Sequence, residues 1–100
     1  MVLYINTKDQ KQIVVSLKKD GEVIKSLSEE NEYGSQVLLP LISKILDRKK
    51  LMFGNLEEVE VETGPGSFTG IRVGVSVANA LGYSLGIPVN GKKMEVDLVY

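Results

Sequence analysis

The segment Gly64-Pro65-Gly66-Ser67-Phe68-Thr69-Gly70 separates two patterned stretches and forces the backbone to turn between them. Before it, Val59 and Val61 alternate with Glu60 and Glu62. That is the period of a strand with one buried face, and it predicts a strand over Val59–Thr63. After it comes IRVGVSVANALGYSLG, which carries two patterns at once. Ile71, Val73, Val75 and Val77 alternate as a strand would. At about 100° per residue, however, Arg72, Ser76, Asn79 and Tyr83 gather into a narrow polar arc, and nearly everything else is apolar or small. The run is also too long for an ordinary strand, so the pattern predicts a helix over Arg72–Leu85. A strand, a glycine-rich turn and a helix in succession call for a layered α/β architecture.

The remaining segments fit that architecture. Val2–Ile5 reads as a short buried strand, and Gln12–Lys18 as a second. Asp20-Gly21 is a hairpin signal, because glycine tolerates positive φ, and Glu22–Leu27 reads as the third strand. Leu38–Arg48 reads as a helix. Val37, Leu38, Leu41, Ile42, Ile45 and Leu46 fill one half of its wheel, Ser35 is a candidate N-cap, and Pro40 belongs near the helix start. Ile87–Val89, the Asn90-Gly91 turn and Lys92–Tyr100 read as a terminal hairpin. The expected fold is a mixed sheet of five or six strands in the order 3-2-1-4-5 with packed helices. Its first three strands are antiparallel, and the fourth is parallel to the first.

Composition excludes several function classes. The 100 residues hold 43% hydrophobic and 25% charged side chains, the balance of one globular domain, expected over 1–100. The net charge of −1 provides no field for gripping a phosphate backbone, so nucleic acid is not expected to bind to this chain alone. Cysteine and histidine are both absent. Thiolate nucleophiles, disulfides and histidine bases are therefore impossible, and neither a metal site nor a cofactor is expected. There is no signal-peptide pattern and no apolar run that would span a membrane, which leads to a cytoplasmic expectation.

The glycine-rich loop is the one segment that could carry chemistry. Its glycines permit tight turns, and the helix after it offers free amides to an anion. The spacing is one residue longer than the dinucleotide fingerprint, and the Lys-Ser/Thr of a P-loop is missing. Ser67 and Thr69 are nucleophile candidates without a histidine to activate them. The same residues also serve as a purely structural turn. A small nucleotide-binding phosphotransferase or hydrolase is thus one alternative.

GPGSFTGIRVG resembles the signature of the TsaB/YeaZ family. The likeness continues through the small-residue helix into LGIPV. Upstream, QVLLPLISKIL resembles that family's first helix, and VLYINT its opening strand. The resemblance covers about residues 1–90. It implies a ribonuclease-H-like, actin-like ATPase half, and a role in threonylcarbamoyladenosine biosynthesis on tRNA, which the chain would meet only indirectly through a complex. It implies a non-catalytic scaffold that binds a homologous TsaD-like catalytic subunit, or a second copy of itself as a homodimer, through its helices. No catalytic residue is expected. The family-motif loop is Gly64, Pro65, Gly66, Ser67, Phe68, Thr69 and Gly70. The expected protein interface combines Leu38, Leu41, Ile42 and Ile45 of the first helix with Gly74, Ala78 and Gly82 of the second. Close packing of those small residues on the chain's own sheet is the competing reading.

Three departures from the family pattern stand out. Asn6 replaces the strand-one aspartate, losing the charge that attracts a magnesium–nucleotide complex. Gly34-Ser35-Gln36 lacks the usual histidine. The second half of the family fold is expected to be absent, and with it the cleft that holds nucleotide.

Overall fold

The structure, a computed structural model, describes residues 1–9, 11–30, 35–66 and 68–92, the side chains at 35, 36 and 68 excepted. Alternation along the strands decides the first layer. Strand β1 (Val2–Asn6) buries Leu3 and Ile5, and β2 (Gln12–Lys19) buries Ile13, Val15 and Leu17 on the same face. Asp20 and Gly21 both take positive φ, 54° and 81°, closing a tight hairpin into β3 (Glu22–Glu30). Strand β4 (Glu58–Val61) lies parallel to β1, with Leu3 opposite Val59 and Ile5 opposite Val61. The order β3-β2-β1-β4 and all three strand directions are as expected.

The fifth strand is a correction. Among the described residues the sheet has four strands, and the fifth position holds only a one-residue parallel bridge from Val89 to Val59. Pro88 has no N–H to extend the ladder, and Asn90 turns away with φ 50°. The outer side of β4 is nevertheless paired. Val59 donates its N–H to Pro88 O at 3.0 Å and accepts from Asn90 N at 2.9 Å. The Asn90 side chain takes over at Val61, accepting its N–H at 2.8 Å and donating to its carbonyl at 3.0 Å. A carboxamide thus stands in for the next peptide group. The Asn90-Gly91 turn brings Lys92 back antiparallel to Val89. The rest of the expected hairpin lies outside the described residues.

Helix α1 (Ser35–Arg48) starts about a turn before the expected Leu38, at the residue expected to cap it. Leu38, Leu41, Ile42, Ile45 and Leu46 are buried over β2 and β3, while Pro40, Ser43, Lys44 and Asp47 face outward. Helix α2 (Phe68–Leu85) settles the conflict of patterns in favour of the helix. It packs over β4 and β1, and it ends as Gly86 takes φ 68° and Ile87 N–H reaches back to Gly82 O at 3.0 Å. Both helices lie on one face of the sheet and share one core with the strands. The other face carries Tyr4, Lys18, Glu60 and Glu62.

Candidate functional site

The glycine-rich loop closes over the end of β1, and close packing there explains its glycines. Thr7, buried just beyond β1, donates its hydroxyl to the carbonyl of Gly70 in the first turn of α2. One turn later, a Cβ on Gly74 would overlap the Thr7 hydroxyl oxygen. At Gly66 a Cβ would lie 2.6 Å from Lys8 Cβ and 3.0 Å from the Lys8 carbonyl oxygen. Gly64 takes φ 127°, a conformation other residues rarely adopt. Pro65 and Thr69 are exposed, and Ser67 is outside the described residues. Asn6 uses its carboxamide oxygen to accept the Lys8 N–H at 3.1 Å, which fixes the chain as it leaves β1. Loop, strand end and helix start form one clasp that sets the angle between β4 and α2.

The expected interface residues are corrected by their burial. Leu38, Ile42, Ile45 and Ala78 are wholly inaccessible, and Leu41 is nearly so. Gly70, Gly74 and Gly82 are buried as well. Gly74 packs against Thr7 at the end of this chain's own β1, and Ala78 lies in the core cluster, as the competing reading of the small residues expects. The wide apolar arc of α1 is consumed by the sheet and by α2. What the helix layer presents outward is different: Leu39, Pro40, Ser43 and Lys44 on α1, and Arg72, Ser76, Ala80 and Tyr83 on α2. Leu39 and Tyr83 are 48% and 69% exposed. Asn79, grouped with the polar arc by helical projection, is buried instead.

The opposite face of the sheet holds a charged cluster. Strand pairing gathers it, because Tyr4 lies opposite Glu60 on β4 and Ser16 on β2. Tyr4 donates its hydroxyl to Glu62 Oε1 at 2.7 Å. Lys18 pairs with Glu60 at 2.8 Å and stands 4.7 Å above the Tyr4 ring. Lys8 approaches Glu62 at 3.8 Å. Partial burial, then the Glu62 hydrogen bond and charge, push the Tyr4 phenol up to about 12. At the margin the N-terminal ammonium donates to Glu57 at 2.8 Å, and this bond and its charge hold that carboxyl below its usual range. The carboxylates at 60 and 62 are matched by lysines, so the face is a balanced ion-pair network. Only the alternation of Glu58, Glu60 and Glu62 hinted at it, and the β1–β2 register needed to complete it is not written in any local pattern.

Comparison with known proteins gives consistent results. A family model described as TsaD, tRNA N6-adenosine threonylcarbamoyltransferase, matches residues 28–92. The tRNA threonylcarbamoyladenosine biosynthesis protein TsaB of Buchnera aphidicola subsp. Schizaphis graminum is 39% identical over 93 residues, which is 91% of this chain and 43% of that protein. The protein of the same name from Bacillus subtilis is 28% identical over 89 residues, covering 89% of this chain and 39% of its own. Among solved structures, YeaZ from Pseudomonas aeruginosa superposes with a TM-score of 0.79 at 28% identity, over 88% of this chain and 41% of that one. The chain therefore spans about two fifths of the length of the relatives it matches.

Proposed function

This chain belongs to the TsaB/YeaZ family, and from that premise we propose that it is a non-catalytic scaffold in threonylcarbamoyladenosine biosynthesis on tRNA. Its partner is a TsaD-like catalytic subunit, bound through the outward surface of the helix layer. The observation that carries this reading is the construction of the glycine-rich loop. Gly66 and Gly74 are filled against Lys8 and Thr7, so the signature serves the strand–helix junction. The Asn6 carboxamide is engaged with the Lys8 amide at the place where the resemblance leads one to expect a carboxylate. Both features favour a structural part over a phosphate cradle. The outward helix residues Ser76, Ala80 and Tyr83 offer a shallow, weakly charged surface suited to another helix.

The test is capture of a TsaD-like protein from the source cell by the tagged chain and by its Ala80→Arg variant. Ala80 is exposed, so the variant is expected to fold and melt like the parent while losing the partner. Undiminished capture by a folded variant places the contact elsewhere. Failure of the parent itself to capture a TsaD-like protein rejects the scaffold reading. Calorimetry with ATP and magnesium addresses the phosphotransferase alternative, for which tight, magnesium-dependent binding abolished by Gly66→Val is the signature.

A further inference from the structure

We propose that β3 is a self-pairing edge. Two copies of this chain join antiparallel along it, with each Leu27 facing its own counterpart across a two-fold axis. Strand β3 is outermost in the sheet, and among the described residues nothing pairs with its outer side. Nine residues long, it presents alternate free N–H and C=O groups, and its Val23 and Ile24 are 55% and 38% exposed. Such an edge is a template for another strand.

Charge and register select a second copy as that strand. Side chains alternate between faces, so an added copy keeps its core face aligned only if the axis passes through a residue position. Centred on Leu27, the pairing sets Lys25 opposite Glu29 of the second copy on both sides of the axis, and Ser26 opposite Ser28. Centred on Lys25, it opposes two lysines. Centred on Ser26, it sets Glu22 against Glu30 of the second copy. Centred on Ser28, it leaves Lys25 without a carboxylate opposite. The Leu27 register also fits the shape of the strand. The ladder between β2 and β3 is irregular where Lys25 gives way to Val23, leaving Ile24 as the extra residue. From Lys25 to Glu30 the pairing is regular, and a Leu27-centred contact needs only that stretch and its margin. The two-fold axis runs perpendicular to the sheet, so both helix layers stay on one side. Because α1 lies over β2 and β3, the two α1 helices become neighbours.

The chain has no cysteine, which makes a direct test simple. Opposed residues of an antiparallel pair have Cα atoms about 4.5–5.5 Å apart, within the reach of a disulfide. Leu27→Cys is expected to give a disulfide-linked dimer under mild oxidation, and Tyr83→Cys, on α2 over the far strands of the sheet, none. By sedimentation, Lys25→Glu and Glu29→Lys each weaken the dimer about tenfold, since two attractive cross-strand pairs become repulsive. The double variant, which exchanges the two charges, restores it. A chain that stays monomeric through the micromolar range overturns the proposal. So does a dimer indifferent to the single reversals, or one that cross-links through Tyr83→Cys and not through Leu27→Cys. Such failure leaves the scaffold reading intact, because that reading is tested on α2 with Ala80→Arg.

Discussion

Tyr4 shows how much one side chain is asked to reconcile. It sits between Lys18, which favours its ring face, and Glu62, which accepts its proton. The network holds the neutral phenol, so its folded pKa of about 12 lies above the ordinary value of 10. Between those values the unfolded chain releases the proton while the folded chain keeps it. Its contribution to stability is therefore full below pH 10 and is lost as pH rises towards 12. Denaturant titrations of the parent and of Tyr4→Phe should show this as a difference. The parent loses more stability than the variant over that interval, and parallel curves would remove Tyr4 from the network. Asn6 and Gly66 carry the same lesson in other chemistry. One polar atom caps one amide, and one missing Cβ admits one backbone.

Helix α2 is the element whose meaning changed most between sequence and structure. Ala78 and Ala80 are near neighbours with opposite fates, the first wholly buried and the second exposed. Ala78→Arg is expected to unfold the chain, since a long cation would enter the core without a partner, at a cost of several kcal/mol. Gly74→Val should destabilise by about 1–3 kcal/mol by crowding Thr7. Circular dichroism melts compare them with Ala80→Arg, which should melt near the parent. A folded Ala78→Arg would return the small-residue face to the surface. The elements themselves were legible. Strand alternation and the Asp20-Gly21 turn defined the antiparallel part, and the length and small residues of 71–85 favoured the helix. The orientation of α2 was not legible, because a stripe such as Gly70, Gly74, Ala78 and Gly82 admits a close neighbour without saying whose backbone it is. The fifth strand failed for a local reason, with Pro88 and Asn90 flanking Val89. The charged face was missed because it is assembled by strand register.

At the scale of the molecule, four strands and two helices among the described residues support one core, and the matched relatives are more than twice as long. The chain's principal extents are 31 × 29 × 22 Å, which leaves much surface for each residue buried. If two copies share β3, the melting temperature of the parent rises with protein concentration, because the dimer exists only in the folded state. That of Lys25→Glu should rise less over the same range. Calorimetry across a hundredfold dilution is the measurement, and equal slopes would deny the link between the edge and stability. The side-chain pairing of Asn90 with Val61 then acquires a further significance. On its outer side β4 has its peptide groups at 59 and 61 already engaged, so strand addition there has no hydrogen bonds to gain. A sheet with one sealed margin and one open margin behaves like a monomer carrying a single reactive end. Joining consumes that end on both molecules at once, and assembly terminates as a closed pair, with no free strand edge left among the described residues from which a fibre could grow.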